Sequence, residues 1–241
     1  MSGDNSNGPV LDIKYIFLVL SIANACMAIS LILSNVNLSK ETGGKIDGAI
    51  ILTAILYAVS CVFIILTRFK PETFGCKSQN LLNITNMVAY TLTLGTYISG
   101  IYTSNDALEK EKKSEEKSEN TMSMLGIVSQ AFLMAGYFLY VVFCILMLSI
   151  YPPGTPDMAL LIAICIVDGI IFALLIAKRS VKAKELFLKL DIANSVLAII
   201  VLLLLNVYIF RVQTEKTVPG KACQLYFPSD TNTGNKTYHA I

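Results

Sequence analysis

Histidine is almost absent from this chain of 241 residues: the only one, His239, lies in the polar segment near the C-terminus. Histidine-ligated haem, HExxH zinc sites, Ser-His-Asp triads and Cys-His dyads all need an imidazole inside the fold. A histidine in a polar tail is most simply a solvated side chain. The sequence therefore predicts neither a metal site nor a cofactor.

Charge is also scarce. Charged residues make up 15% of the sequence, whereas soluble domains carry about 25%. The formal net charge of +2 is too small to indicate nucleic acid, and the sequence has neither a glycine-rich phosphate loop nor a basic patch interleaved with aromatic residues. We therefore expect no nucleic-acid partner, and the 54% of hydrophobic residues points to the lipid bilayer instead.

Six apolar runs dominate the sequence, and a helix needs about 20 such residues to cross a membrane. The runs cover residues 13–33, 46–67, 81–103, 122–150, 158–177 and 186–210. The predicted fold class is all-α, a polytopic transmembrane helical bundle with about six spanning helices. Prolines at 152, 153 and 156 force a short turn between the fourth and fifth runs, which predicts that these two helices are antiparallel neighbours.

The polar segments divide the chain around these runs. The predicted organisation is a polar N-terminal segment (1–12), three transmembrane helices (13–104), a charged hydrophilic loop (105–121), three further transmembrane helices (122–211) and a polar C-terminal tail (212–241). The charged loop is interpreted as a solvated linker between the halves, with a docking site for a cytosolic partner as the alternative.

Basic residues beside the runs predict the orientation. More of them lie on the side opposite the termini, among them the cluster from Lys178 to Lys184. Because cytoplasmic loops carry an excess of Lys and Arg, both termini are predicted to be extracellular or luminal. The particular membrane, whether plasma, internal or viral, does not follow from the sequence.

Cysteines and sequons agree with that orientation. Cys76 and Cys223 are the only cysteines outside the apolar runs, and they fall on the predicted outer side. They are a candidate disulfide in an oxidising compartment, or else two unrelated free thiols. Asn235, in the sequence Asn235-Lys236-Thr237, is a candidate glycosylation site on the same side.

Asp168 is the one formal charge near the middle of an apolar run. An ionisable residue inside a membrane is costly and indicates a functional site by default. Asp168 could relay a proton or bind a cation, hydrogen-bond a neighbouring helix in protonated form, or lie at a shallower depth. The second interpretation is favoured because Gly169, Ala173 and Ala177 form a small-residue stripe suited to close helix contact beside it.

Uncharged polar residues in the other runs are the candidate partners of this carboxylate. The amides and hydroxyls considered are Asn24, Asn194, Asn206, Gln130 and Thr93. Of these, Asn24 and Asn194 form the candidate intramembrane polar site together with Asp168.

Two functions fit this sequence, and neither is enzymatic, because a single central carboxylate lacks the second one that an intramembrane aspartyl protease needs. The first is a structural or interaction protein that organises a membrane complex through self-association or through other membrane proteins. The alternative is a small transporter or channel that uses Asp168 as a proton or cation site. The low number of intramembrane polar residues favours the first.

Overall fold

A computed structural model of the protein describes residues 13–42, 44, 47–69, 71–113, 123–149 and 156–214. The described part of the chain forms six α-helices: α1 (Ile13–Thr42), α2 (Gly48–Phe69), α3 (Pro71–Lys113), α4 (Met124–Leu148), α5 (Pro156–Ser180) and α6 (Lys184–Thr214). The predicted all-α helical bundle is confirmed. Backbone N–H and C=O groups find no water to hydrogen-bond inside a bilayer. A chain can therefore cross the bilayer only as α-helices or as a closed β-barrel.

Local signals set where the helices begin. Ser123 is the N-cap of α4, and its hydroxyl accepts a hydrogen bond from the Gly126 amide at 3.1 Å. Asp47 directly precedes α2, and its carboxylate accepts a hydrogen bond from the Ala49 amide in the first turn of that helix at 2.8 Å. Both side chains satisfy amides that have no partner within the first turn of a helix.

The six helices pack as a closed ring in the order α1, α2, α3, α6, α5, α4, with α4 returning to α1. The predicted α4–α5 contact is part of this ring. The first three helices therefore form one half and the last three the other, joined at two interfaces, α1 with α4 and α3 with α6.

The α1–α4 interface is antiparallel. Phe17 near the start of α1 packs edge-to-face on Phe143 near the end of α4, with ring centroids 5.9 Å apart. At the other end of the interface Ser30 and Ser129 bond reciprocally, because each hydroxyl donates to the other residue's backbone carbonyl at 2.9 Å. The two helices thus meet along most of their length.

Two ion pairs hold α5 against α6. Lys178 pairs with Asp191 near one end of the helices, and Arg211 pairs with Asp157 at the other, with Nε and Oδ1 3.3 Å apart. At a rise of 1.5 Å per residue, the two pairs are about 30 Å apart along the helices. That separation equals the hydrocarbon thickness of a bilayer, about 30 Å. The ion pairs therefore mark two boundaries between which the apolar parts of α5 and α6 fit.

The outer surface of the ring is apolar. Large hydrophobic side chains are exposed on all six helices; examples are Ile29, Val62, Ile98, Ile145 and Ile166. Five helices are long and apolar enough to cross a membrane, namely all except α3. Exposed apolar surface this extensive marks a membrane or protein interaction surface, and the five apolar helices are compatible with a multi-pass integral membrane protein.

Helix α3 is the exception in length and in polarity. Its 43 residues measure about 65 Å, and it continues the expected third span as far as Lys113, so the first part of the charged segment is helical. There Lys110 pairs with Asp106 at 2.7 Å, and this hydrogen bond raises the pKa of Lys110. Further along, Lys184 of α6 pairs with Glu111 at 3.4 Å.

The small-residue stripe on α5 does not pack as its spacing suggested. Ala173 and Ala177 are exposed, and a Cβ added at Gly169 would meet nothing within 4 Å. The close approach lies elsewhere, at Gly136 of α4, where an added Cβ would come within 3.0 Å of the Met27 sulfur. Residue spacing identifies a shared face but not the direction in which that face points.

We expect Gly136→Leu to lower the free energy of unfolding by about 2 kcal/mol, because overfilling a tight contact forces backbone shifts. Gly95→Leu is the matched control, since an added Cβ there meets nothing within 4 Å on the exposed face of α3. Chemical unfolding in detergent micelles measures both. Equal stability of the two variants would contradict the α1–α4 packing.

Candidate functional site

Asp168 lies midway along α5, about 15 Å from each of the two ion-pair levels. Its side chain is buried, with 1% of its surface exposed. Neither carboxylate oxygen has a hydrogen-bond partner among the residues that the structure describes. A buried carboxylate without partners is unusual, because burial of an unpaired polar group costs several kcal/mol.

A cavity of about 60 Å³ opens in front of this carboxylate. Five of its lining residues are aromatic: Phe17, Tyr90, Tyr140, Phe143 and Tyr208. Asp168, Asn83 and Asn86 are the other polar lining residues, and the remainder are aliphatic or sulfur-containing. The site is therefore an aromatic-walled space with one acidic group.

The cavity occupies the half of the bundle that carries the Asp157–Arg211 pair. On α5 and α6 its lining residues run inward from that pair in the order Ile209, Tyr208, Leu205, Ile164 and Asp168. Asp168 is the innermost of them, so the carboxylate forms the floor of the cavity at mid-depth in the bundle.

A hydrogen-bonded chain supports the cavity wall. The Tyr140 hydroxyl donates to the Asn24 Oδ1 at 2.5 Å, and the Asn24 amide donates to the Ser60 hydroxyl at 3.1 Å. Ser60 in turn donates to the Asn86 Oδ1 at 2.5 Å. The chain joins four helices, α4, α1, α2 and α3, and fixes Tyr140 and Asn86 at the cavity surface.

Beyond Asp168 the interior is closed. The Tyr97 and Tyr137 hydroxyls are hydrogen-bonded at 2.9 Å, joining α3 to α4. These helices are not neighbours in the ring, so the bond crosses its interior. Ile171 and Leu175, the next inward-facing turns of α5, are buried at 0% and 2% exposure. The cavity thus lies in one half of the bundle, and buried side chains of α3, α4 and α5 continue toward the other half.

A second polar cluster lies at the closed end. Asp191 accepts hydrogen bonds from Lys178 and, at 2.9 Å, from Ser104 of α3. The Lys178 ammonium also sits 4.3 Å from the centre of the Phe187 ring. Polar groups of α3, α5 and α6 therefore meet at this end of the bundle.

The two predicted companions of Asp168 have different positions. Asn24 lies behind the cavity wall and reaches the cavity through its bond with Tyr140. Asn194 is buried in α6 about two turns from the level of Asp168, toward the Lys178–Asp191 pair. Its Oδ1 has no hydrogen-bond partner among the described residues. The structure brings Asn24 to the cavity and leaves Asn194 apart from it.

None of the candidate amides and hydroxyls bonds to Asp168. Asn206 donates to the Leu202 carbonyl at 3.0 Å, and Thr93 bonds with Tyr57 and with the Ala89 carbonyl. The interpretation of Asp168 as a hydrogen-bonding group between helices thus lacks a partner. Asp168 lies midway between the two ion-pair levels of the bundle, and its depth in a membrane stays a prediction.

Sequence reasoning missed the polar face of α3. Asn86, Tyr90, Thr93, Tyr97 and Ser104 follow each other at spacings of three, four and seven residues, which place them on one side of a helix. All are buried or half-buried, and all five have polar partners on other helices. This periodicity was the available signal for an inward-facing polar surface.

The remaining candidates concern cysteines and the sequon. Cys223, Asn235 and the side chain of Cys76 lie outside the described residues, so the disulfide and the glycosylation site stay predictions. Within the described part of the chain Cys26, Cys61, Cys144 and Cys165 are free thiols. No group of three His, Cys, Asp or Glu side chains that could hold a metal ion occurs among the described residues.

Fold and site define a class: a helical, multi-pass membrane protein with a central carboxylate in an internal cavity. Comparison with protein-family models, curated proteins and solved structures finds no match to this chain. The geometry of the site is therefore the basis for assigning a function.

A double-mutant cycle tests the hydrogen-bonded chain. Asn24→Ala and Tyr140→Phe should show a coupling of about 1 kcal/mol in unfolding free energy, because interhelical hydrogen bonds in membranes are worth that order. Pairing Asn24→Ala with Thr91→Ala provides the control, since Thr91 is exposed and bonds only within its own helix. Additive effects in both cycles would contradict the bond.

Proposed function

We propose that the protein is a small transporter or channel for protons or cations, with Asp168 as its central site. The observation that carries the proposal is the unpartnered carboxylate, buried at mid-depth and facing a cavity. Carboxylates within transmembrane segments typically mark ion or proton pathways when they face a bundle interior or a wet cavity.

The energetics of the carboxylate support this choice. A group that only packed helices together would gain its stability from hydrogen bonds, and Asp168 has none among the described residues. An arriving proton or cation, in contrast, neutralises the charge and removes the desolvation cost. The site is therefore better suited to a ligand that comes and goes than to a permanent contact.

The position of the cavity supports transport further. The cavity lies between Asp168 and the end near Asp157 and Arg211, while the Tyr97–Tyr137 bond lies toward the other end. Carriers hold a central site near the bilayer midplane and expose it to one side of the membrane at a time. With the termini outside, the cavity of this conformation lies in the extracellular or luminal half.

Six crossings complete the proposed topology. Although α3 is less apolar than the others, it contacts α2 through Asn86 and α6 through Ser104, which are 18 residues, about 27 Å, apart along the helix. The side chains of its buried polar face have partners on these helices. We take α3 as the third span on this ground.

Flux in proteoliposomes tests the proposal. Asp168→Asn should reduce proton or cation flux by roughly thirtyfold or more. The reason is that the neutral amide can no longer form a buried charge pair with the transported cation. Asp168→Glu, which keeps the charge, should retain part of the flux. Asp106→Asn is the control, because that carboxylate lies exposed on the extension of α3. Flux indifferent to Asp168→Asn would refute the proposed role.

The interaction protein remains the second candidate, and one observation favours it. The stripe of Gly169, Ala173 and Ala177 faces outward, where a helix of another membrane protein or of a second copy could approach closely. Ala173→Leu should then lower the associated fraction in single-molecule photobleaching or cross-linking in bilayers. Leu203→Ile, on the exposed face of α6, is the control that should leave association unchanged.

A further inference from the structure

We infer that the cavity above Asp168 binds a small alkylammonium ion, with the ammonium group donating hydrogen bonds to the carboxylate and the alkyl part lying against the aromatic wall. The inference rests on the proposed function and names the class of cation that the site takes.

Charge is the first reason. Both oxygens of Asp168 are buried and lack hydrogen-bond donors among the described residues. None of the described Lys and Arg side chains lines the cavity. A ligand that carries its own positive charge and its own N–H donors would satisfy both oxygens at once. A neutral ligand with two donors would leave the buried negative charge uncompensated, and an anionic ligand would be repelled by it.

The aromatic wall is the second reason. Phe17, Tyr90, Tyr140, Phe143 and Tyr208 surround the space, and aromatic faces attract desolvated ammonium groups through cation–π interactions. The same rings also bury alkyl carbon. Tyr140 is fixed by its bond to Asn24, so its position does not depend on the ligand.

The shortage of oxygen ligands argues against a bare metal ion. Hard cations such as Ca²⁺ take six to eight oxygen ligands, and Mg²⁺ takes six. The cavity offers one carboxylate, two Asn side chains and the tyrosine hydroxyls, one of which already donates to Asn24. An organic cation needs only the one carboxylate for its charge, and its carbon suits the largely apolar lining.

The size of the cavity limits the ligand. A space of about 60 Å³ accommodates roughly four to six water molecules at 10–15 Å³ each, which together fill about 120–180 Å³ of liquid. An alkylammonium ion of roughly five non-hydrogen atoms displaces a similar volume. n-Butylammonium is therefore a suitable probe.

Binding to the purified full-length protein tests the inference. Isothermal titration calorimetry should give one n-butylammonium site per chain, while 1-butanol and butyrate, which match it in size but not in charge, should not bind. Asp168→Asn should weaken n-butylammonium binding by roughly thirtyfold or more. Asp106→Asn should leave it unchanged. Absence of binding, or binding that is indifferent to Asp168→Asn, would overturn the inference.

A second variant distinguishes the inference that the cavity binds an alkylammonium ion from the proposal that Asp168 serves in ion transport. Leu205→Phe fills the cavity but keeps Asp168, so it should abolish n-butylammonium binding, and circular dichroism checks that the helices are retained. If Asp168-dependent proton or sodium flux persists in the unaltered protein without any n-butylammonium binding or competition, the proposed function stands and the inference is wrong. If that flux is absent as well, both are wrong.

Discussion

The absence of water inside the membrane is the constraint on which this structure depends. Each polar side chain in the bundle must find its partner in another part of the chain, since lipid offers none. Asn24, Ser60, Asn86 and Tyr140 meet this requirement together, in one chain of bonds that crosses four helices. The polarity of α3 is tolerated for the same reason, because its polar face is turned toward the other helices.

Asp168 breaks this rule with both of its oxygens, whereas Asn194 and Asn206 each leave one amide oxygen without a partner among the described residues. The carboxylate lies at the same depth as well-satisfied neighbours, yet its oxygens have no donors among the described residues. The surrounding helices do not close over it; a cavity lies in front of it instead. A folded protein keeps such a defect only where something else compensates for it, which is why the carboxylate marks the site better than any sequence motif does.

The sequence predicted the helices well and their arrangement poorly. The lengths of the apolar runs predicted the helices, because a chain crosses lipid almost only as helix. The prolines predicted that α4 and α5 are neighbours. The ring order could not be predicted, since it depends on contacts such as Ser30 with Ser129 between distant parts of the chain. The spacing of Gly169 and Ala173 was visible, but not that they face outward. The cavity needs side chains from five helices, which no single apolar run reveals.

The α1–α4 interface also affects the order of events during synthesis of the chain. Ser30 bonds to a residue 99 positions later, and Asn24 to one 116 positions later. At synthesis rates of roughly 5–20 residues per second, α1 is complete for on the order of 5–20 s before α4 exists. During that interval the Ser30 hydroxyl and the Asn24 Oδ1 lack their final partners on α4. The insertion machinery or a temporary partner must therefore shelter the first half of the protein until the second half is made.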